Sequence, residues 1–398
     1  MNIVILSDRY HPTPVSGAVL IYDLALELVE QKHTVYIMTA DSSLKNEYEI
    51  TKESGINILR IRAKNQKELS KPQRLLFELF LQRKIWKMAN KHIKDVDFDL
   101  LVAHSPTIFW SFILKKLKNK HKNLKIYLIL RDIFPKWAVD TKIITKFNPI
   151  YWFLRWHEKE LYREADKIGV QSHSNLDYFK AESKELFKKV EVLYNWKRIG
   201  SKASLTSEIR HELGIEDKTI FIFGGNLGFA QDIESLLSLV NAFRDDTKIH
   251  FIFIGEGTEF NNIAEWIRDR KSNNLSLLPA VSDEVYQSIL KECDVGIISL
   301  RSSFKTDNFP NKILNYMEYD LPILASINLE NELTLLINNY KNGLVSNSGD
   351  IETLINNTRI LLNDDLGRQK MGKRGKALLL NKFDSKTAIE KIIQLVNN

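Results

Sequence analysis

Short apolar runs ending in polar residues recur along nearly the whole chain, and stretches of helical periodicity separate them. In the first half they are Ile3–Leu6, Val35–Met38, Ile56–Ile61, Leu100–Ala103, Ile126–Leu130, Ile168–Gln171 and Val190–Leu193. Each is short enough for a strand, and most are apolar at successive positions as strands covered on both faces are. Between the first two, Leu20, Leu24 and Leu28 mark one face of a helix, so the chain opens as strand, helix, strand. A second series starts at Thr219. It runs through strand Ile220–Phe223, the loop GGNLGFAQD, a helix from Ile233, strand Ile249–Ile254, and the strands Leu275–Leu278 and Val295–Leu300. The pattern demands an α/β fold with mostly parallel sheets, which bind ligands at the carboxyl ends of their strands.

A chain of 398 residues is too long for one common core. Two Rossmann-like, doubly wound domains facing a deep cleft are expected, over residues 1–197 and 205–380, with a polar linker between. The last helix, within 386–398, is expected to return to the first domain. Charge divides the same way: residues 1–197 carry 34 Lys/Arg against 23 Asp/Glu, and the remainder 23 against 27. A basic first domain suits a phosphorylated substrate or an anionic lipid surface; a nucleic-acid reading rests on this charge alone and is set aside. The single cysteine, Cys293, excludes an intrachain disulfide and a cysteine metal cluster. With no signal peptide and no bilayer-length apolar run, a cytoplasmic protein is expected, free or peripheral on the inner face of the membrane.

The stretch Asp307–Ser326, DNFPNKILNYMEYDLPILAS, concentrates the chemistry. It reads as a loop, a short helix opened by Pro310, a turn closed by Pro322 and a strand from Ile323. Ile313, Leu314 and Met317 share one side of that helix, and Asn311, Lys312, Asn315 and Tyr319 the other. Backbone N–H groups at the helix start and the Lys312 charge suit an anion, while Asp307 and Asn315 suit hydroxyls. An ordinary polar helix start would read the same way. Gly224-Gly225-Asn226-Leu227-Gly228 is a glycine loop between strand and helix, able to offer N–H groups to a phosphate or simply to turn. Gly255-Glu256-Gly257 lacks the third glycine of a dinucleotide fingerprint.

In the first half, Ser16 and Gly17 open a helix. His104 and Ser105, Arg131 and Asp132, and Ser172 and His173 follow strands and so share one rim of the sheet. Two segments mix aromatic and basic residues: Leu75 to Ile93, and Phe134 to Leu161 with Trp137, Phe147, Tyr151, Trp152, Phe153 and Trp156. Taken singly, each reads as a core-facing helix. Taken with the charge, they suit a lipid-diphosphate acceptor at a membrane face.

Several motifs in order, SDRYHPTPVSGA, RDIFP, VLYNW, FGGNLGFAQDIESLL, FIGEG and DNFPNKILNYMEYDLPILAS, resemble the retaining family 4 glycosyltransferases of the GT-B fold. Their bacterial surface-polysaccharide (O-antigen and capsule) branch is the nearest likeness, in the manner of N-acetyl-L-fucosamine transferases. The resemblance implies a nucleotide-sugar donor, UDP favoured and an N-acetylamino-deoxy sugar among the candidates. It implies a polyprenyl-diphosphate-linked or oligosaccharide acceptor and no metal or other cofactor. Donor residues would be Gly225, Asn226, Leu227, Gly228, Gln231, Glu256, Arg301, Phe309, Asn311, Lys312 and Asn315. Acceptor residues would be Ser16, Gly17, His104, Ser105 and Arg131, and the catalytic set Asp132, Arg131, Lys312 and Asp307.

The chain departs from the family at four points. Asp307 and Asn315 stand where the family has two glutamates, and Asn226 and Gln231 stand where it has Arg and Lys on the diphosphate. Lys312, helped by Arg301 or Lys305, is the available replacement. A nucleotide-sugar epimerase or a non-catalytic sugar-nucleotide binder on the same fold would be the alternatives; turnover without acceptor, or binding without transfer, would mark them.

Overall fold

The alternating apolar runs build two sheets, each the centre of its own compact unit: Met1–Arg198 with Ser385–Asn398, and Ile199–Asp384. The computed structural model describes the chain except residues 14, 65–69, 106, 141, 201–205, 303–309 and 398, and the side chains of 71, 72 and 137. The first unit contains β1 (Asn2–Leu6), β2 (Thr34–Asp41), β3 (Tyr48–Glu53), β4 (Ile56–Arg62), β5 (Leu100–His104), β6 (Lys125–Leu130), β7 (Lys167–Val170) and β8 (Val190–Val192), in the order β3-β4-β2-β1-β5-β6-β7-β8. All neighbours are parallel except β3 and β4. The sequence reading lacks β3 because half of its residues, YEITKE, are charged, and it forms an edge with Ile50 about half exposed.

Both faces of this sheet are buried, and alternate residues divide between them as the strand period requires. Ile3, Ile5, Leu100, Val102 and Ile129 face a layer with Leu20, Leu24 and Leu28 of the helix Ser16–Glu30. The same layer takes Ala388, Ile389 and Ile392 from the final helix, Ser385–Asn397. Val4, Leu6, Leu101, Leu128 and Leu130 face the other layer, with Leu81 and Ile85, Ile113 and Leu117, and Leu154 and Leu161. Those pairs come from the helices Lys71–His92, Ser111–Lys120 and Pro149–Glu164.

The core-facing reading of Phe134–Leu161 holds only in part: Leu154 and Leu161 face the core, and several aromatic rings do not. A turn breaks it between two helices, Lys136–Asp140 and Pro149–Glu164, and Phe147, Trp152 and Trp156 are 96, 62 and 57% exposed. Leu154, Glu158 and Leu161 occupy the inward face, so these rings have no place in the core.

The second unit contains β9 (Thr219–Asn226), β10 (Ile249–Glu256), β11 (Leu275–Pro279), β12 (Val295–Ser299), β13 (Ile323–Ser326) and β14 (Gly343–Ser346). It is an all-parallel sheet in the order β11-β10-β9-β12-β13-β14. The glycine stretch is a correction to the sequence reading. β9 continues through Gly224, Gly225 and Asn226, which pair with Ile254, Gly255 and Glu256 of β10. A turn at Phe229–Gln231 then leads into the helix Ile233–Ala242.

Candidate active site

In the second unit the carboxyl end of β9 is held against that of β10 by backbone alone. Gly255 has φ +150°, and a Cβ there would overlap the carbonyl oxygen of Gly225. At Gly257, φ +154°, the added carbon would come 2.3 Å from the carbonyl oxygen of Leu227, again an overlap. No side chain fits at either position, which is the physical content of the GEG motif.

The N–H groups of this stretch are partly used. Leu227 N–H donates to Glu256 O at 2.8 Å and its side chain is fully buried, so Leu227 anchors the turn and has no N–H to offer a ligand. Gly224 N–H donates to the Tyr316 hydroxyl at 3.1 Å. Asn226, Gly228 and Glu256 line the same turn, with the Asn226 amide folded between Gly228 and Gly257.

The helix Lys312–Glu318 buries Ile313, Leu314, Tyr316 and Met317 and leaves Asn311, Lys312, Asn315 and Tyr319 half-buried on its other side. Lys312 reaches across to the glycine turn. Its Nζ donates to Gln231 Oε1 at 3.2 Å, lies 3.7 Å from the Phe223 ring centre and runs alongside Gly225. Dry surroundings push its pKa from the usual 10.5 down to about 7. Lys312 has no carboxylate partner among the described residues. Arg301 is seated at the far end of the turn: its Nε donates to Phe229 O at 3.1 Å and its guanidinium lies 4.0 Å from the Phe229 ring centre. Asp307, Phe309 and Lys305 lie outside the described residues.

The polar residues of the first unit follow adjacent strands on one edge. Ser7 Oγ, after β1, donates to Arg9 O at 2.7 Å and lies 3.3 Å from His104 Nδ1, at the end of β5. Since the serine proton is taken, the contact assigns the Nδ1–H tautomer and leaves His104 Nε2 a bare acceptor. Burial, then the Arg131 charge, holds this imidazole neutral by lowering its pKa to about 3. Gly17 packs closely here: a Cβ would come 3.0 Å from His104 Cε1, so a side chain at this position would press on the imidazole. Ser16 is exposed at the start of its helix.

Arg131 is packed 5.0 Å from the Trp196 ring centre and donates through Nη1 to Asn195 Oδ1. Burial lowers its pKa to about 9. Asp132 beside it is raised by burial, with Arg131 opposing. Buried polar atoms without a partner among the described residues gather on this edge: Tyr10 Oη, His104 Nε2, Ser105 Oγ, and Arg131 Nε and Nη2. They offer acceptor, hydroxyl and cationic donor capacity, which suits a polyhydroxylated or anionic ligand.

Ser172 is not among them. It caps the helix His173–Glu182 by accepting from Asn175 N–H at 3.2 Å, and His173 meets the Tyr194 hydroxyl at 3.1 Å. The sequence reading missed Asp8, buried after β1 and pushed up to about 6 by burial. It also missed Gln171, whose amide donates to Arg131 O at 2.6 Å. Their only sequence signal is their position directly after a strand.

Among the described residues no group of His, Cys, Asp and Glu is arranged to hold a metal ion, and no helix is long and apolar enough to cross a membrane.

Comparison with known proteins gives matches along most of the chain. Residues 17–196 match the family model Glycosyltransferase Family 4, and residues 206–378 match Glycosyl transferases group 1. "Probable glycosyltransferase WbjE" of Pseudomonas aeruginosa is 24% identical over 216 residues, 54% of each chain, so the match spans about half of that relative. Among solved structures, Anabaena HepE in complex with UDP-glucose superposes with a TM-score of 0.68 at 16% identity, covering 100% of this chain and 99% of that one. Sucrose-phosphate synthase of Thermosynechococcus elongatus gives 0.72 at 14%, covering 100 and 98%. At these identities the structural likeness speaks for the fold.

Proposed function

We propose, from the premise that the chain belongs to the family 4 glycosyltransferases, that it transfers a sugar with retention from a UDP-sugar to a lipid-linked or oligosaccharide acceptor in surface-polysaccharide synthesis. Lys312 carries this reading. Among the described residues this half-buried ammonium bonds only a neutral amide, which suits it to an anionic ligand. HepE, of the same fold, is solved with UDP-glucose, which favours uridine as the base.

The second unit holds the donor. Lys312 meets the diphosphate beside the Gly225–Gly228 turn, Arg301 and Gln231 flank it, and Asn311 and Asn315 bond donor hydroxyls. The first unit holds the acceptor, with His104 Nε2 accepting from a sugar hydroxyl and Arg131 donating to an oxygen.

The acceptor hydroxyl attacks the anomeric carbon from the face the diphosphate leaves. The leaving diphosphate oxygen takes the hydroxyl proton, and Asp132, raised by burial, orients that hydroxyl. The chemistry is then stabilisation of a leaving anion plus orientation.

The direct test is release of UDP from UDP-sugars with and without a prenyl-diphosphate-linked sugar. Thermal denaturation should first select the donor: UDP-sugars at 100 times Kd should stabilise by about 2.7 kcal/mol, and GDP- and ADP-sugars should not. Stabilisation by GDP-sugars alone would overturn the uridine reading. UDP-sugar turnover that ignores acceptor would replace transfer with epimerisation or hydrolysis.

The same lysine gives a pH signature. A diphosphate beside Lys312 favours its charged form, so its pKa rises from about 7 back toward 10.5 on binding. UDP binding at about pH 8 should therefore take up close to one proton, and affinity should fall as pH rises above 7. Titration calorimetry in buffers of different ionisation enthalpy reads this number. Zero uptake would remove Lys312 from the diphosphate.

A further inference from the structure

We propose that the first unit has a separate pocket for a lipid phosphate, seated between the end of β4 and the first half of the helix Lys71–His92, and that an anionic bilayer supplies its occupant. The proposal rests on the lipid-linked acceptor reading above and says where that lipid binds.

A cavity of about 590 Å³ opens there, within the size range of pockets that bury small ligands. Its wall includes Leu76, Phe77 and Phe80, and Arg62, Lys64 and Lys84 also line it, with no carboxylate among the described lining residues. The helix carries two apolar faces. Leu81, Ile85 and Met88 are spent on the core, whereas Leu76 and Phe80, four positions apart, remain 54 and 46% exposed. An apolar wall beside three cations fits an amphiphile with an anionic head, and neither a bare anion nor a plain hydrocarbon uses both.

The placement suits an acceptor. β4 runs parallel to β2, β1, β5 and β6, so Arg62 ends on the edge that carries His104 and Arg131. Three strand spacings, about 14 Å, separate β4 from β5. A lipid whose phosphate meets Lys64 and Lys84 can extend its sugars along that edge.

The surroundings suit a bilayer. Residues 71–164 carry 20 Lys/Arg against 9 Asp/Glu. The helices Lys71–His92 and Pro149–Glu164 cover the same sheet face, and the second adds Trp152 and Trp156, both exposed. Exposed aromatic rings among lysines insert at the headgroup level of anionic membranes.

The test uses the full chain with farnesyl phosphate as probe, alongside farnesol and inorganic phosphate, and flotation with phosphatidylcholine vesicles with and without 30% phosphatidylglycerol. The variants are Leu76→Ser/Phe80→Ser and Lys64→Glu/Lys84→Glu, all at exposed positions. Farnesyl phosphate should bind the wild type at least about tenfold more tightly than either single-feature probe, and each double variant should lose at least about tenfold. The lysine pair should also lose flotation with anionic vesicles, and both variants should keep their stabilisation by UDP. Unchanged farnesyl phosphate binding in the variants, or inorganic phosphate binding as tightly, overturns the pocket. A wild type that UDP does not stabilise overturns the transfer reading instead, so the two failures are distinct.

Discussion

Replacing Lys312 with alanine should lower kcat by about 10²–10³-fold, the loss that follows removal of one preorganised group from a developing anion. The melting temperature should hardly move. Among the described residues the ammonium makes one hydrogen bond, to Gln231, and lies against the Phe223 ring, while its depressed pKa shows that its charge is held at a cost. Between about pH 7 and 10.5 the unfolded chain keeps this proton and the folded chain releases it, so the lysine's own contribution to stability rises with pH across that window. Removing it relieves a strain and forfeits a hydrogen bond, effects of opposite sign. Steady-state release of UDP, with calorimetry on the same sample, separates chemistry from folding. Lys312→Arg should recover part of the rate, because charge is kept while the hydrogen-bonding fork differs. Full activity in the alanine variant would transfer the diphosphate to Arg301.

Gly255→Ala should be the most damaging single methyl group near the donor residues. Its Cβ would overlap the Gly225 carbonyl, and φ of +150° is unfavourable for any L side chain. The strands β9 and β10 must part to admit it, at a cost of about 3 kcal/mol or more. For a unit of this size that is a fall of about 6–12 °C in the transition of the second unit. The same movement carries Gly225 away from Lys312, so UDP should no longer stabilise whatever remains folded. Gly349→Ala is the control: φ is +86° but nothing lies within 4 Å of the added carbon, so only the backbone term of about 1–2 kcal/mol applies. Equal melting temperatures for the two variants would refute the close-approach argument.

Most of the fold could be read from residue patterns because burial leaves a clear mark. Ile3–Leu6 and Ile126–Leu130 are apolar at every position since both faces of their sheet are covered, and Pro310 and Pro322 bracket a short helix as their fixed geometry requires. Other elements left no such mark. β3 is a charged edge strand whose pairing is set by β4 and not by its own composition. Gly224 and Gly225 look like a loop in isolation and form a strand because Ile254 and Gly255 lie beside them.

The candidate site was legible as a set of positions and illegible as a set of contacts. Lys312 stands out by its neighbours in sequence, but its meeting with Gln231, 81 residues earlier, depends on how strands assemble. His104 and Arg131 could be placed on one rim. That one is a neutral acceptor and the other a cation with unused donors follows only from Ser7, Asn195 and Trp196, which two other strands, β1 and β8, deliver.

The final helix, Ser385–Asn397, has a consequence for synthesis. It contributes Ala388, Ile389 and Ile392 to the core around Leu20 and Leu24 of the first unit, and Ser385 N–H is tied to Lys197 O at 3.0 Å. A nascent chain therefore emerges with its first unit unfinished, and the entire second unit must be translated before the missing helix arrives. Meanwhile the apolar face of the helix Ser16–Glu30 has only part of its cover, a partially folded state of the kind that chaperones shield and that associates wrongly when crowded. The yield of this protein in a cell should accordingly depend on its last thirteen helical residues, far from any residue assigned to the chemistry.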